Sequence, residues 1–251
     1  MARCRRSKTR WFRRQTEKSV TGWIMLPILI SNPHAGLSIA PEVEAINLLT
    51  PEEIFADGDE GAREIYALED HVQAFLTTDI ARAYVDLNRH VDDRREDGIV
   101  KTCTCWQVPI YSEPLSEDLI QDLLAKYYHP YHEKLRELAS EVVLGLDCHT
   151  MAAKGPPIGP DPDVERPLIC LSNGAGTTCP EEWLHTLAED LGRSFKCEVS
   201  LNDPFQGGFI TRSHASELPW IQLELSRAHW TTFENKRQQL LDALTIWCAR
   251  H

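Results

Sequence analysis

The chain has 251 residues, enough for one sizeable hydrophobic core, and a formal net charge of −12. This acidic balance argues against nucleic acid as the main partner, because phosphate binding needs a basic surface. No run approaches the roughly 20 apolar residues of a membrane span. The eight cysteines form no zinc-ribbon spacing, and a chain of this length does not need disulfides, so we expect a reduced, cytoplasmic protein.

The first 20 residues differ in charge from the rest of the chain. They contain eight lysines and arginines but a single glutamate. A nucleic-acid arm and an organelle-targeting segment are alternatives, but such blocks are usually solvated tails. We therefore predict that residues 1–21 form a basic, disordered extension and that residues 22–251 form a single α/β domain. The following "GWIMLPILI" lacks a small-residue cleavage site, which favours a buried strand over a secretory signal.

Apolar runs alternate with amphipathic stretches along the rest of the chain. Short apolar runs bounded by turn residues predict strands at 24–31, 81–87, 141–148, 167–172, 197–202 and 220–225. Helical periodicity predicts helices at 60–76, 116–140, 179–195 and 233–249. Pro130 should kink or break the second of them. The alternation predicts an α/β fold with a mixed, largely parallel central sheet and helices on both faces. The long Pro- and Gly-rich loop 152–167 is of a length that is often functional.

Polar residues stand at or near the ends of four predicted strands. They are His34, the Asn88–Arg89 pair, His149 and Glu224. Taken singly, His34 could cap a turn and His149 could be a core histidine, but a buried, unpaired Glu224 would be costly. In open α/β sheets the carboxyl ends of the strands form the binding crevice. Two imidazoles and a carboxylate meeting there suit a mononuclear Zn²⁺ site.

Several segments, in this order along the chain, carry a resemblance to known enzymes. His34, "VDLNR" (85–89), His149 and "LELSR" (223–227) are similar to the zinc carboxypeptidase superfamily. More closely, residues 24–230 resemble the N-formylglutamate amidohydrolase family through "ISNPHAG", "ADGDEGAREIYAL", "VDLNR", "KYYHPYHEKL", "LDCHTM", "GGFITR" and "WIQLELSR". One departure from the carboxypeptidases is Leu37, which stands where their glutamate ligand would be.

The resemblance implies a zinc carboxypeptidase-like (phosphorylase/hydrolase-like) fold and one Zn²⁺ per chain. The family's Asp-x-Asp falls on Asp57 and Asp59. We expect Asp59 to be the third ligand beside His34 and His149, with Asp57 as the alternative. The alternative to a metal-binding role is a purely structural one, in which the same residues form a solvated acidic loop that caps the following helix.

The resemblance also implies hydrolysis of N-formyl-L-glutamate to formate and L-glutamate. Glu224 would be the general base and then the general acid. Asn88 and Arg89 would hold the substrate α-carboxylate, since a guanidinium binds a carboxylate bidentately. Arg212 is a second candidate for a substrate carboxylate, although a surface arginine beside a turn explains it equally well. Asp147 would support the metal ligands from behind.

The sequence is also compatible with other functions. A zinc carboxypeptidase or a deacylase for another N-acyl amino acid would use the same residues, and fold analogy does not fix the substrate. A catalytically inactive protein that binds acidic amino acids is a third possibility. His129 and His132 are left as packing or substrate-side residues because Pro130 separates them. The expected partner is a small N-acyl amino acid, with neither nucleic acid nor membrane; the sequence does not predict the oligomeric state.

Overall fold

One mixed sheet runs through the computed structural model, which describes residues 25–251. Within that range its six strands lie in the order β2-β1-β3-β6-β4-β5. All neighbours are parallel except β4 and β6, which are antiparallel. The strands are β1 Leu26–Asn32, β2 Val72–Thr77, β3 Leu144–Met151, β4 Ile169–Ser172, β5 Ser200–Leu201 and β6 Trp220–Ser226. The predicted α/β class with a largely parallel sheet is confirmed, whereas the predicted extension 1–21 lies outside the described residues.

Helices cover both faces of this sheet, as predicted. They are α1 Pro51–Asp57, α2 Ala62–Ile65, α3 Glu117–Leu123, α4 His129–Ala139, α5 Glu181–Phe195, α6 Phe209–Ser213 and α7 Phe233–Cys248. The buried apolar residues of α2, α5 and α7 belong to one hydrophobic cluster, and those of α3, α4 and α6 belong to a second. No helix within residues 25–251 is long and apolar enough to cross a membrane.

The two clusters follow from the alternation of side chains along the strands. In β1, Ile28 and Ile30 pack into the first cluster and Leu29 into the second, because successive strand residues point to opposite faces. All eight residues of β3 are buried, as expected for a central strand covered on both faces. Gly145 in β3 leaves room for the indole of Trp220: a Cβ there would lie 2.4 Å from Cδ2 of that ring.

The structure corrects two predicted elements. The predicted helix 60–76 is helical only at Ala62–Ile65, and its C-terminal part is the strand Val72–Thr77. Burial alternates along this strand, with Val72, Ala74 and Leu76 more deeply buried than their neighbours. This period of two is hard to see in the sequence because the preceding residues have helical periodicity. The predicted strand 81–87 is an irregular segment buried in the second cluster, where Asp86 N donates to the Ile99 carbonyl at 2.8 Å instead of joining the sheet.

The remaining differences concern boundaries and one helix. The predicted strand 197–202 is reduced to Ser200–Leu201, while the helices predicted at 179–195 and 233–249 are confirmed as α5 and α7. Helical backbone continues past Pro130 without a break: α3 passes through a π turn, Leu124–Tyr128, into α4. Pro130 follows this π turn directly, as the second residue of α4.

Candidate metal and catalytic site

A cavity of about 570 Å³ lies at the carboxyl ends of the central strands. His34 follows β1 by two residues, while His149 lies in β3 and Glu224 in β6. His149 and Glu224 are direct partners in the register of these parallel strands, so both side chains point to the same face. The cavity is lined by the predicted residues His34, Asp59, Asn88, Arg89, His149 and Glu224 and by part of the loop 152–167.

Asp59 reaches the cavity from the short connection between α1 and α2. Thr50 caps α1 in a reciprocal capping box with Glu53, and the helix ends at Gly58. The next residue, Asp59, donates its N–H to the His34 carbonyl at 3.3 Å, and its Oδ2 accepts from Thr150 N at 3.1 Å. These bonds hold the carboxylate between the end of β1 and the end of β3.

His34, Asp59 and His149 form a buried group that could bind a metal ion. Their candidate ligand atoms all lie within 4.8 Å of one another. Nδ1 of His149 is 3.1 Å from Nδ1 of His34 and 3.1 Å from Oδ2 of Asp59, and Nδ1 of His34 is 3.6 Å from that oxygen. Two imidazole nitrogens and one carboxylate oxygen are a donor set that suits Zn²⁺ with one position left for water or substrate.

A carboxylate stands behind each of the two histidines. Nε2 of His34 lies 2.8 Å from Oδ1 of Asp86, and Nε2 of His149 lies 3.0 Å from Oδ1 of Asp147. The hydrogen bond from Nε2 of His34 to Asp86 fixes that ring and leaves its Nδ1 free for a metal. Nε2 of His149 also lies 2.9 Å from Nδ2 of Asn88. Both aspartates are buried, and Arg82 donates to Oδ2 of Asp86 at 2.7 Å. The donor set and these supports together fit a divalent cation.

The electrostatics of the group favour positive charge at its centre. Burial alone would raise the pKa of Asp59, but the His34 and His149 rings hold it well below its ordinary value. Burial alone would lower the pKa of His149, but the carboxylates of Asp147 and Asp59 raise it well above the usual range.

Glu224 lies beside this group in a nearly closed environment. It is 6% exposed, and burial raises the pKa of its carboxyl, with Asp59 and Asp147 adding to the rise against the opposing effect of His149. Nε2 of Gln222 donates to its Oε1 at 2.7 Å. A carboxyl whose pKa is shifted toward neutrality can both accept and release a proton in a reaction.

The two aspartates of the Asp-x-Asp motif occupy different environments. Asp57 accepts from Nζ of Lys101 at 2.9 and 3.2 Å and from Cys105 N at 2.8 Å. This buried pairing, with Lys101 as the main partner, holds the pKa of Asp57 below its usual value despite desolvation. Asp57 is thus already neutralised, whereas Asp59 faces the two histidines. The alternative of a solvated acidic loop does not fit, because Asp59 is only 6% exposed.

Two of the three predicted substrate-binding residues line the cavity, and the third does not. Asn88 lines the cavity, and its Nδ2 donates to Oδ2 of Asp147 at 3.0 Å. Arg89 also lines the cavity, with Nη2 3.2 Å from Oδ2 of Asp97. Arg212 is not brought to the cavity: its exposed guanidinium donates to the carbonyls of Gln206 and Gly207 at 2.9 Å each.

Several residues around the cavity were missed in the sequence. Arg227 donates to the carbonyl of Gly58 at 2.6 Å and so ties the end of β6 to the loop that carries Asp59. Arg166 lies in the loop 152–167 and pairs bidentately with Asp161. Gln222 shares the face of Glu224, which a period of two along the predicted strand could have indicated. Arg82 and Arg166 stand in no recognisable motif.

His132 belongs to a separate buried contact rather than to the metal group. One ring nitrogen lies 3.0 Å from the carbonyl of Leu87, and the other lies 2.8 Å from Nε2 of His214. Burial lowers the pKa of His132 to about 3, so the ring is neutral. It supports the chain directly before Asn88.

Comparisons with known proteins agree on one family. The sequence model of the N-formylglutamate amidohydrolase family matches residues 26–231. The chain is 28% identical to an N-formylglutamate deformylase of Pseudomonas aeruginosa, with 80% of this chain and 81% of the relative covered. It is 27% identical to the N-formylglutamate deformylase of Pseudomonas putida, with coverages of 89% and 94%.

Two solved structures share the fold. The crystal structure of an N-formylglutamate amidohydrolase from Ralstonia eutropha JMP134 superposes with a TM-score of 0.71 at 21% identity, covering 90% of this chain and 92% of the other. A gene product of Agrobacterium tumefaciens gives a TM-score of 0.67 at 14% identity, with coverages of 89% and 88%. At these identities the superpositions show the architecture alone.

Proposed function

The chain belongs to the N-formylglutamate amidohydrolase family, and from this premise we propose that it is a zinc-dependent hydrolase of N-formyl-L-glutamate. The products are formate and L-glutamate. The observation that carries the proposal is the buried His34–Asp59–His149 group in the same cavity as Glu224. The names of the two Pseudomonas deformylases support this choice of substrate.

His34, Asp59 and His149 would hold one Zn²⁺ per chain. When bound, the ion would supply a Lewis acid that polarises the formyl carbonyl and makes water more acidic. Asp86 keeps the His34 ring oriented with Nδ1 toward the centre of the group, and Asp147 lies 3.0 Å from Nε2 of His149. Asp57, engaged by Lys101, supports the loop and is not a ligand in this proposal.

Glu224 transfers the proton in this mechanism. Its carboxylate takes a proton from the attacking water while the water oxygen forms a bond to the formyl carbon. It then gives that proton to the amide nitrogen as the C–N bond breaks and the carbonyl re-forms. The amine of glutamate and formic acid leave, and the acid ionises to formate at neutral pH. General acid–base catalysis of this kind contributes roughly 10²–10⁴-fold to the rate.

Cationic side chains recognise the two carboxylates of the substrate. Arg89 and Asn88 are proposed to bind the α-carboxylate, since both line the cavity and Asn88 lies 2.9 Å from Nε2 of His149. Arg212 remains the proposed partner of the side-chain carboxylate. To meet it, the Arg212 guanidinium has to turn away from the carbonyls of Gln206 and Gly207.

The cavity of about 570 Å³ suits a small molecule, and the proposal extends to the setting of the enzyme. The acidic composition argues against a nucleic-acid partner, and the absence of a long apolar run in the sequence argues against a membrane partner. The cysteine usage favours a reduced, cytoplasmic protein. A single domain over residues 22–251, preceded by a basic extension, completes the proposal.

A substrate panel tests this function directly. Zinc-loaded protein is assayed with N-formyl, N-acetyl and longer N-acyl derivatives of glutamate and with short peptides that end in glutamate. We expect the highest kcat/KM for N-formyl-L-glutamate, with one formate released per glutamate. Preference for the N-acetyl compound or the peptides would instead identify another deacylase or a carboxypeptidase, and no turnover with any compound would favour a binding protein.

A further inference from the structure

Gln222 occupies the position next to Glu224 on the cavity face of β6. Because the two residues are separated by one position in a strand, their side chains point the same way. Both are buried and both line the cavity. Nε2 of Gln222 donates to Oε1 of Glu224 at 2.7 Å. This bond directs the amide nitrogen of Gln222 toward Glu224 and its amide oxygen away from it.

The orientation leaves the amide oxygen of Gln222 without a partner. This Oε1 is buried and accepts no hydrogen bond from any group within residues 25–251. Its strand neighbours offer no free donor: the register partner Ser172 donates its hydroxyl to the Phe205 carbonyl at 2.7 Å, and the partner Asp147 is an acceptor. A buried acceptor of this kind is uncommon and costs free energy unless a ligand satisfies it.

The proposed substrate has a single hydrogen-bond donor at neutral pH, the N–H of its scissile amide. Its two carboxylates and its formyl oxygen can only accept. We propose that Oε1 of Gln222 accepts a hydrogen bond from this N–H and thereby selects amides over esters at the site. This inference rests on the proposed function and deepens it by naming the residue that recognises the reacting nitrogen.

The contact has a consequence for the proton transfer. The amide of Gln222 touches Glu224 through its nitrogen and the substrate through its oxygen, so it places the leaving nitrogen beside the carboxyl that protonates it. As the C–N bond breaks, the nitrogen keeps its original proton toward Gln222 and receives the second from Glu224. The product amine then leaves with both.

A pair of substrates tests the inference. N-formyl-L-glutamate is compared with the ester in which oxygen replaces the N–H, (S)-2-formyloxyglutarate, in the wild-type chain and in Gln222→Met. Gln222→Met also removes the donor to Glu224, the residue that protonates the leaving nitrogen. The variant Gln222→Glu, which loses that donor but keeps an acceptor oxygen, separates this effect from the contact to the substrate N–H. We expect the amide-to-ester ratio of kcat/KM values to fall about tenfold or more in Gln222→Met, the effect of one hydrogen bond to a buried acceptor. An unchanged ratio overturns the inference.

Gln239 in α7 provides a matched control. Its Nε2 donates to the Ser194 carbonyl at 3.2 Å and its Oε1 is likewise buried and unpaired, but it lies away from the cavity. Gln239→Met should leave the amide-to-ester ratio unchanged. The second variant, Gln222→Glu, keeps the side-chain length and an acceptor oxygen. Gln222→Glu should hydrolyse both the amide and the ester more slowly but keep the wild-type amide-to-ester ratio. If this ratio falls equally in Gln222→Met and Gln222→Glu, the proposed role of Oε1 is contradicted.

A binding measurement distinguishes a failure of the proposed role of Gln222 from a failure of the proposed hydrolase function. By calorimetry, wild-type protein should bind L-glutamate more tightly than glutarate, which lacks the amine, and Gln222→Met should reduce that difference. If wild-type protein hydrolyses both formyl compounds, but Gln222→Met changes neither the amide-to-ester ratio nor the difference in affinity between glutamate and glutarate, only the inference is overturned. If wild-type protein hydrolyses neither compound, the proposed function fails and the inference fails with it.

Discussion

His149 is the residue at which the metal group and its supports meet. One side of its ring faces Asp59 and His34, and the other faces Asp147 at 3.0 Å and Asn88 at 2.9 Å. A shift of this ring would therefore alter both the cation site and the proposed substrate-binding asparagine. Glu224, the register partner of His149 on β6, completes the set.

Removing the charge of Glu224 should separate chemistry from metal binding. In Glu224→Gln we expect zinc content to be unchanged, because the carboxylate is not one of the three grouped ligands. Hydrolysis of N-formyl-L-glutamate should fall by at least about 10²-fold, since the amide cannot accept the proton of water. Formate release and metal analysis on the same sample provide the measurement. Wild-type activity in this variant would remove Glu224 as the base.

Asp59 and Asp57 should respond differently to the same substitution. Asp59→Asn should lose zinc, because a neutral amide is a poor replacement for a carboxylate ligand. Asp57→Asn should keep zinc but unfold more easily, by about 3–5 kcal/mol, since it leaves Lys101 buried without its counter-charge. Metal content and urea denaturation of both variants distinguish the two outcomes. Loss of zinc only in Asp57→Asn would transfer the ligand role to that residue.

At the scale of elements, the π turn before α4 is tied to the loop that follows β1. Lys126 Nζ and Tyr127 Oη in this turn donate to the carboxylate of Glu42 at 2.9 and 2.8 Å. Burial opposes ionisation, but these two partners hold the pKa of Glu42 below its ordinary value. The contact joins α3 and α4 to the segment that leads out of the cavity side of β1.

Glu42→Gln should therefore destabilise the protein in a pH-dependent way. A carboxyl whose folded-state pKa is lowered contributes stability above its unfolded pKa of about 4.3 and loses it as the pH falls through the folded value. We expect a loss of about 1 kcal/mol at pH 7, a modest value because the pair is partly exposed. The difference from wild type should shrink toward zero at pH 3. A difference in unfolding free energy that is constant from pH 7 to pH 3 would contradict the assignment.

Packing between β3 and β6 depends on the absence of a side chain at Gly145. Gly145→Ala would place Cβ 2.4 Å from Cδ2 of the buried Trp220, so overpacking should lower the free energy of unfolding by about 1–3 kcal/mol. Gly159→Ala, where the nearest atoms lie at 3.6 Å, is the control and should cost little. Equal denaturation midpoints for the two variants would show that β3 and β6 shift enough to accommodate the added methyl group at little cost.

At the scale of the whole molecule, local patterns predicted the fold class and most of the central strands. Alternation and turn residues identified β1, β3, β4 and β6, and periodicity identified α5 and α7. The strand β2 was missed because its period of two follows a helical turn without a clear break. The segment 81–87 looked like a strand because it is buried, but its burial comes from contacts between loops and the second cluster.

The candidate site shows the same division between local and long-range information. His34, His149 and Glu224 were recognisable as polar residues that interrupt or end apolar strands, and the structure brings them together. The choice between Asp57 and Asp59 depends on Lys101, far along the chain, so spacing alone could not decide it. Family membership, predicted from the order of the motifs, is confirmed by the match over residues 26–231.

Diffraction at the zinc absorption edge, measured on crystals of the zinc-loaded chain, would locate the ion directly. We predict one strong anomalous peak per chain, within coordination distance of Nδ1 of His34, Nδ1 of His149 and a carboxylate oxygen of Asp59. The neighbouring Glu224 should remain outside the coordination sphere. A peak bound by other residues, or no peak in crystals that contain zinc, would show that His34, Asp59 and His149 do not form the zinc site.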